Sequence, residues 1–236
     1  MLRMATIESI RRAAAIVTPS EFTRSQLVSR YSVAPEKIHK MSLGVTISGS
    51  SAVRTLRERT HLLMVGQHHP RKNFAEAIDG YVTSKMGREG IPLVLVTSKW
   101  GASRAVTSQS TALENLHVRH GVDQRELGEL YSRAYALLLP SYSEGFGLPA
   151  LEAMAYGTPV IASKAGALPE VIGEAGILLD RSGARQIPPQ VWAHAIRQSI
   201  EPSRWETLSL AALRRAAAFT WDVSAHALSG VYRELV

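Results

Sequence analysis

Four short runs of uninterrupted apolar residues most strongly constrain how this chain can fold. They are LLMV at 62–65, LVLV at 93–96, ALLL at 136–139 and VIA at 160–162. A strand with one wet face alternates apolar and polar residues, whereas a continuous apolar run is expected of a strand buried on both faces. Such strands belong to parallel sheets that are covered by helices on both sides. The runs therefore predict an α/β protein with a parallel sheet flanked by helices.

Helix-like segments lie between these strands, as crossover connections in a parallel sheet require. We predict strands at 15–18, 61–65, 92–97, 116–120, 135–139, 159–162 and 176–179. We predict helices at 7–16 (running into the first strand), 21–29 with Ser20 as N-cap, 74–85, 103–113, 124–133 and 149–156. Ligands of such sheets bind at the carboxyl ends of the strands, which is where functional residues are expected.

The last third of the chain differs from the rest. From Pro188 to Val236 only helical patterns occur, at 190–199, 204–218 and 223–235. The sequence therefore predicts a C-terminal helical extension. We divide the chain into a linker segment at 1–45, a sheet domain at 46–200 and C-terminal helices at 201–236.

Composition excludes several classes of protein. The 236 residues include no cysteine, so disulfide scaffolds, cysteine zinc sites and cysteine nucleophiles are impossible. No run approaches the roughly 18 apolar residues of a spanning helix. The 27 basic and 20 acidic residues give a net charge of +7, which is compatible with a phosphorylated ligand, nucleic acid or an anionic membrane as partner; a solvated basic surface is the alternative. Nucleic acid is not expected, because aromatic and basic residues do not interleave. A cytoplasmic location fits the absence of cysteine.

The segment from Pro140 to Leu179 carries the strongest chemical signal. A strand ends at its start, and a loop containing Gly145 and Gly147 leads into a helix with Pro149 in the first turn. Helix N-termini that follow a glycine loop favour anions, because their first amide groups have no partner within the helix. The amides of Gly147 and Leu148 are therefore candidate anion ligands.

Two carboxylates flank this predicted anion site. Glu144 lies on the loop and Glu152 on the helix, with seven residues between them. The spacing does not place them on one helix face as an acid–base pair, but it allows each to reach different hydroxyl groups of one elongated ligand. The alternative is that both are surface charges, with Glu144 complementing the helix dipole.

A second group of polar residues follows the apolar strand that ends at Val65. In VGQHHPRKNF, Gly66 turns the chain, and Arg71 and Lys72 stand near the start of the next helix. Two cations at the carboxyl end of a strand are well placed for a diphosphate, although a helix-initiating surface pair is the alternative. His68 and His69 are adjacent and lack metal-ligand spacing, so a metal role is not expected.

Together these motifs resemble the donor half of retaining glycosyltransferases of family 4, which adopt the GT-B fold. Glu144 and Glu152 match the family's E-x7-E motif within SEGFGLPALEAMA, and PRKN at 70–73 resembles a variant of its phosphate-binding loop. The segment 120–122 follows in the family's order, 21–45 resembles the approach to its C-terminal domain, and 219–221 resembles the FxW element before its closing helix. The resemblance covers nearly the whole chain and implies a Rossmann-like nucleotide-sugar-binding domain.

The resemblance implies roles for individual residues. Arg71, Lys72 and Glu144 would be catalytic: the two cations would stabilise the departing nucleoside diphosphate, and Glu144 would hold hydroxyls of the transferred sugar. Glu152 would hold the ribose. The remaining donor-binding positions implied by the family motifs are Gly66, Gly121, Val122, Gly145, Phe146, Gly147 and Leu148, with Gly121 and Val122 near the base. The sugar would be GDP- or UDP-linked, with mannose favoured, and no separate cofactor is expected.

Metal-independent donor binding is also expected. The other large glycosyltransferase fold holds a divalent ion with an Asp-x-Asp motif, and the four aspartates of this chain (79, 123, 180 and 222) are too far apart for one.

One departure from the family pattern is Gln67, where many members have arginine after the loop glycine. PRKN variants often lack that arginine too.

Alternative functions remain open at this point. Gly145, Gly147 and Ala150 satisfy the G-x-G-x-x-A fingerprint of NAD-dependent oxidoreductases, but the next strand ends in Ser163 and Lys164 rather than in an acidic residue. A non-catalytic nucleotide-sugar-binding or regulatory subunit is the stronger alternative. The family's acceptor site, for a glycan or lipid-linked substrate, lies in an N-terminal domain that this chain does not contain. A partner or a preceding domain would supply it, and contact with the inner face of the membrane would fit the basic surplus.

Overall fold

The computed structural model describes residues 2–47, 54–67, 69–98 and 115–235, and there strands and helices alternate. The strands are β1 (Ile16–Thr18), β2 (Ile38–Lys40), β3 (His61–Val65), β4 (Leu93–Val96), β5 (Leu116–Arg119), β6 (Ala134–Leu139), β7 (Val160–Ser163) and β8 (Gly176–Leu179). The helices are α1 (Leu2–Arg12), α2 (Glu21–Tyr31), α3 (Phe74–Ser84), α4 (Gln124–Arg133), α5 (Leu148–Ala155), α6 (Leu168–Ile172), α7 (Pro189–Ile200), α8 (Pro202–Ala216) and α9 (Trp221–Glu234). The predicted helix 103–113 and His68 lie outside the described residues.

Six parallel strands form the main sheet in the order β5-β4-β3-β6-β7-β8. This arrangement confirms the predicted α/β class and is the Rossmann strand order. From β3 the chain builds one half of the sheet outward through β4 and β5, and then it returns to add β6, β7 and β8 on the other side. The direction in which strands are added to the sheet therefore reverses between β3 and β6. The loops that follow these two strands open the crevice where ligands of such sheets bind.

The apolar runs are continuous because the two faces of each central strand are both covered. Along β3, Leu62 and Met64 pack against the face that carries α3 and α7, whereas Leu63 and Val65 pack against the face that carries α5 and α8. Every residue of β3 is buried. Alternate side chains of a strand point to opposite faces, so a strand covered on both sides needs apolar residues at successive positions.

The N-terminal and C-terminal segments differ from the sequence prediction in their details. Strand β2 was not predicted; it pairs in parallel with β1, through Ile16 opposite Ile38. Helix α1 ends at Arg12, four residues before the predicted end, and α6 was not predicted because five residues are too few to show a helical period. The prediction that Ser20 caps α2 is confirmed by a 3.0 Å hydrogen bond from the Thr23 amide to Ser20 Oγ.

The C-terminal helices pack back onto the start of the chain. The prediction of helices without strands after residue 188 is confirmed for the described residues, which extend to 235. Helix α9 is tied to the segment 42–46, because Ser224 Oγ donates to the Ser42 carbonyl at 2.6 Å and Trp221 Nε1 donates to Thr46 Oγ1 at 3.0 Å. None of the described helices is long and apolar enough to cross a membrane. The division at residues 45 and 200 stays a prediction.

Replacing Gly80 with alanine should destabilise the protein. A Cβ at this position of α3 would lie 2.2 Å from Trp192 Cβ on α7, so the two helices would have to separate. We expect the free energy of unfolding to fall by about 1–3 kcal/mol in urea denaturation followed by circular dichroism.

Gly230→Ala in α9 is the matched control. Apart from the neighbouring backbone of α9 itself, no atom of the described residues lies within 4 Å of the added Cβ there, and alanine is favoured over glycine in a helix by about 1 kcal/mol. Equal destabilisation by both substitutions would contradict the close packing of α3 against α7.

Candidate functional site

Two loops meet at the point where the strand order reverses. One loop follows β3, and its described part at 69–73 carries Arg71 and Lys72, while the other, residues 140–147, follows β6 and carries Glu144. A 2.7 Å hydrogen bond from the Tyr142 amide to the Arg71 carbonyl joins their backbones. The two sequence motifs, which lie about 70 residues apart in the chain, therefore form one site.

A buried ion cluster occupies the junction of the loops. Glu144 Oε1 accepts hydrogen bonds from Lys72 Nζ at 2.7 Å and from Ser141 Oγ at 2.6 Å. Glu144 Oε2 accepts from Arg71 Nη1 at 2.9 Å, and the same guanidinium nitrogen reaches the Ser143 carbonyl at 3.1 Å. The side chains of Glu144 and Lys72 are only 7% and 9% exposed, whereas that of Arg71 is 47% exposed. Arg71 therefore presents the accessible charge.

The cluster keeps Glu144 ionised. Burial alone raises the pKa of a carboxyl group, but here hydrogen bonds from Lys72 and Ser141 outweigh it, together with the charge of Lys72 and a hydrogen bond from Arg71. The pKa of Glu144 is consequently lowered. With two cations and one anion, the cluster carries a net positive charge, which suits an anionic ligand.

Local backbone geometry sets the position of Lys72. It ends a short 3₁₀ helix, Pro70–Lys72, whose N-cap is His69, with Nδ1 accepting from the Arg71 amide at 3.2 Å. Asn73 then adopts a left-handed conformation, with φ of 49°, and starts α3 in a new direction. A Cβ at Gly66 would come within 3.2 Å of Lys72 Cε, so the small residue leaves room for the buried lysine.

A third loop fixes the backbone of Glu144. The Ala167 amide donates to the Glu144 carbonyl at 2.9 Å, and a Cβ at Gly166 would lie 2.3 Å from the same oxygen. The sequence analysis did not identify Gly166 or Ser141 as functional. Gly166 could have been found only from its tertiary contact, since nothing in its local sequence separates it from an ordinary turn glycine.

The N-terminal segment holds the glycine loop from the other side. Ser20 Oγ and Thr23 Oγ1 donate to the Gly145 carbonyl at 2.6 and 3.1 Å. The Glu170 carboxylate accepts from the Glu21 and Phe22 amides, both at 2.9 Å. Residues before β3 therefore support the site directly, which the sequence did not indicate.

Helix α5 starts at the predicted anion site. Its N-cap, Gly147, has a φ of 99°, and an added Cβ there would lie 2.7 Å from Leu168 Cδ2, so glycine is needed on both counts. No side chain caps the helix, and Leu148 is 37% exposed at its first position. The side chain of Phe146 packs in the core instead, edge-on to Phe219 with ring centroids 6.0 Å apart.

Glu152 lies on α5 beside a shallow depression. Tyr131 Oη donates to Glu152 Oε2 at 2.7 Å. Burial, with the charge of Glu152 and this hydrogen bond, raises the pKa of Tyr131 well above its ordinary value. The depression is lined by Thr46, Gln124, Leu127, Gly128, Tyr131, Glu152 and Tyr156. One carboxylate oxygen of Glu152 is thus oriented by the protein, and the other has no hydrogen-bond donor among the described residues.

The segment predicted to lie near a base comes between β5 and α4. Gly121 has a φ of 67° and is exposed, and Val122 is partly exposed. Just before them, His120 Nδ1 lies 2.9 Å from the Thr97 carbonyl, which connects the ends of β5 and β4. As far as the described residues extend, no three histidine, aspartate or glutamate side chains gather where a metal ion could bind.

The stability contributed by Glu144 should depend on pH. Because its folded-state pKa is lowered, the stabilisation is present above the ordinary glutamate value of 4.5 and is lost as pH falls through the folded-state value. At neutral pH, Glu144→Gln should cost about 3–5 kcal/mol, since it leaves the buried Lys72 charge without its main partner. Urea unfolding of both proteins at neutral and acidic pH measures the difference.

This difference should shrink on acidification below pH 4.5. A difference that stays constant or grows toward low pH would contradict ionised Glu144 as the partner of Lys72.

Known proteins are similar to this chain in sequence and in fold. The family model "Glycosyl transferases group 1" matches residues 52–213. The O-antigen chain mannosyltransferase RfbU of Salmonella typhimurium is 30% identical over 150 residues, which cover 62% of this chain and 41% of the relative. The O-antigen chain mannosyltransferase B of Escherichia coli is 29% identical over 230 residues, 91% of this chain and 59% of the relative.

Solved structures extend the comparison to the fold. Sucrose-phosphate synthase of Thermosynechococcus elongatus has 25% identity and a TM-score of 0.77, covering 98% of this chain and 61% of that one. Anabaena HepE in complex with UDP-glucose has 18% identity and a TM-score of 0.81, covering 98% of this chain and 67% of that one. The chain thus spans about half the length of the curated relatives it matches, and it belongs to the group 1 glycosyl transferase family.

Proposed function

We propose that this chain is the donor-binding half of a retaining glycosyltransferase. It would transfer a hexose, with mannose favoured, from a nucleoside diphosphate sugar to a glycan or lipid-linked acceptor. The observation that carries the proposal is the buried cluster of Lys72, Arg71 and Glu144 at the switch point of the sheet. Membership of the glycosyl transferase family gives the cluster its chemical context.

The diphosphate would bind between the cations and the start of α5. Arg71 and Lys72 offer positive charge on one side, and the uncapped first turn of α5, with the amides of Gly147 and Leu148, offers hydrogen-bond donors on the other. When the bond between sugar and phosphate breaks, negative charge grows on the diphosphate. Charges held in place before the reaction stabilise that state without having to reorganise.

Glu144 would bind the transferred sugar. Its ionised carboxylate is an acceptor for sugar hydroxyls, and its two oxygens already face Lys72 and Arg71. A donor would place phosphate oxygens near those cations and hydroxyl donors near the carboxylate. Each charged group would then exchange an internal partner for a ligand partner, which limits the cost of desolvating them.

Glu152 would bind the ribose of the nucleotide. The hydrogen bond from Tyr131 fixes one carboxylate oxygen, and the other is available to a pair of ribose hydroxyls. Gly121, which is exposed, and Val122, which is partly exposed, precede α4 and would lie beside the base. GDP and UDP are both candidates, since two relatives are named mannosyltransferases and the solved HepE structure contains UDP-glucose.

The acceptor site would come from outside this chain. The relatives are about twice as long as the matched region, so a preceding domain or a partner chain would supply the acceptor half. We place the assembled enzyme in the cytoplasm, at the inner face of the membrane where its acceptor is lipid-linked. The net charge of +7 favours such an anionic surface.

A non-catalytic subunit that binds a nucleotide sugar is the second candidate function. The described contacts favour it to the extent that they account for donor binding alone, which is all that such a subunit requires. Sugar transfer by this chain together with its acceptor half separates the two functions: a catalytic subunit requires Glu144 for transfer, whereas a binding subunit gives no transfer at all.

Replacing Lys72 with alanine should weaken nucleoside diphosphate binding. A charge-assisted hydrogen bond contributes about 1.5–3 kcal/mol, so the affinity should fall by roughly 10-fold to 150-fold in calorimetric titrations with GDP and UDP. Circular dichroism first establishes that the variant is folded, since Lys72 is buried beside Glu144.

Lys40→Ala is the matched control, because Lys40 is a half-exposed lysine on β2 with a distant, 3.9 Å contact to Glu21. Unchanged affinity in Lys72→Ala would remove Lys72 from the site. Absence of binding by the wild type to GDP, UDP and their sugars would refute the proposed function.

Donor binding should survive removal of divalent metal. Protein cations and helix amides would neutralise the diphosphate, so the affinity for GDP or UDP should change less than about twofold when a chelator is added. Calorimetry with and without the chelator, and with added Mg²⁺, measures this. Loss of binding in the chelator, restored by Mg²⁺, would contradict metal-independent donor binding.

A further inference from the structure

A second buried carboxylate, Glu76, is bonded to Asn73, the residue that follows Lys72 of the ion cluster. Glu76, in the first turn of α3, is 3% exposed and accepts three side-chain hydrogen bonds. Its Oε2 accepts from Asn73 Nδ2 and from Arg181 Nη1, both at 2.8 Å, and its Oε1 accepts from Trp192 Nε1 at 3.2 Å. Neither the sequence motifs nor the proposed donor contacts account for this carboxylate.

Arg181 connects Glu76 to the other functional loop. It lies in the turn after β8, yet its Nη2 donates to the Pro140 carbonyl at 3.1 Å, where β6 ends. Its guanidinium also lies 4.4 Å from the centroid of the Tyr142 ring, a cation–π contact. The side chain is 17% exposed, so most of it is enclosed between the turn and the loop it contacts.

The pair therefore joins the two loops at their bases. Asn73 directly follows Lys72, and Glu76 fixes its side chain. Arg181 fixes Pro140 and Tyr142, and the Tyr142 amide bonds the Arg71 carbonyl. The ion cluster links the loops through Glu144, and the Glu76–Arg181 pair links them a second time, through Asn73 and Pro140.

We infer that Glu76 and Arg181 are positioning residues that hold the segments 69–73 and 140–147 at the separation the diphosphate site requires. The inference rests on the proposed function, because it names the group whose binding depends on that separation. Neither residue needs to touch the donor. They act through the backbone of Tyr142 and the end of the 3₁₀ helix that carries Lys72, and a misplacement of about 1 Å in such groups costs up to about 100-fold in function.

The Glu76–Arg181 pair contributes more to the separation of the two loops than to the overall stability of the fold. A buried ion pair contributes little net stability compared with apolar residues of the same size, because both charges must be desolvated. The ion pair does fix the geometry of its surroundings, because separating the two charges would leave each one buried without a partner. Glu76 has donors from the loop, from the turn after β8 and from α7, so it fixes three elements at one point.

Arg181→Met should lower the affinity for GDP or UDP by about tenfold or more in calorimetry. Amide hydrogen exchange should also accelerate at Tyr142, whose bond to Arg71 would be less well held. Arg181→Lys keeps the positive charge, but its single nitrogen cannot reproduce the two-pronged contact in which one guanidinium nitrogen bonds Glu76 and the other bonds Pro140. Arg181→Lys should therefore lower the affinity less than Arg181→Met does. If Arg181→Met does not fold, Arg181→Lys and Glu76→Gln provide the same measurements.

Arg197→Met is the matched control. Arg197 also joins α7 to the region after α3, through Glu89 Oε1 at 2.6 Å, but it makes no contact with either functional loop among the described interactions. It should leave both the affinity and the exchange at Tyr142 unchanged.

A double-mutant cycle separates positioning from loss of folded protein. In a Lys72→Ala background, Arg181→Met should lower the affinity by less than about threefold, because the contact that it positions is already absent. General destabilisation would reduce binding by the same factor in both backgrounds, and that result would overturn the inference. Unchanged affinity and unchanged exchange in Arg181→Met would also overturn it.

The outcome for the wild type distinguishes the two proposals. Wild-type binding that Arg181→Met does not weaken refutes the positioning role and leaves the proposed function intact. Absence of wild-type binding refutes the proposed function and, with it, the positioning of a diphosphate site. If the wild type does not bind, faster amide exchange at Tyr142 in Arg181→Met would still show that the pair holds the two loops, although not for a diphosphate.

Discussion

The carboxylate of Glu144 connects the two functional loops, because it accepts hydrogen bonds from Lys72 and Arg71 on one loop and from Ser141 on its own. Lys72 and Glu144 neutralise each other in a nearly buried position, while the half-exposed Arg71 leaves the cluster with a net positive charge. Burial would otherwise favour the neutral acid, yet the two cations keep its pKa low. The rest of the site, from the glycine loop to the third loop at Gly166, positions this one group.

The same cluster explains how the site can be both stable and ready to bind. Preorganised charges are costly to leave unpaired, so the unliganded protein pairs them internally. A diphosphate sugar offers both an anion for the cations and hydroxyl donors for the carboxylate, which few other ligands combine. In the proposed function, the site would select its donor by pairing opposite groups on one ligand, as a nucleoside diphosphate sugar allows.

The N-terminal segment does more than link domains, because it makes hydrogen bonds to the glycine loop of the site. Ser20 and Thr23 hold the carbonyl of Gly145, and the C-terminal helix α9 is bonded to residues 42–46. The N-terminal segment thus contacts the glycine loop, and α9 contacts Thr46, which lines the depression beside Glu152.

The sequence by itself determined the sheet, most helix positions and the residues of the ion cluster. Continuous apolar runs can be read locally, since a strand covered on both faces needs apolar residues at every position. Glu144, Lys72 and Arg71 were found from their places after strands and from family motifs. The helix at α6, the strand β2 and the helix end at Arg12 were missed because short or irregular elements show no period.

Only the tertiary structure decided how these residues are arranged. It placed Phe146 in the core against Phe219, brought Ser141 and Gly166 to Glu144, and joined Glu76 to Arg181 across 105 positions of the chain. Local patterns cannot reveal such pairs, because the free energy of a buried charge depends on partners that are distant in sequence. The order of the strands sets those partners, and no single segment encodes that order.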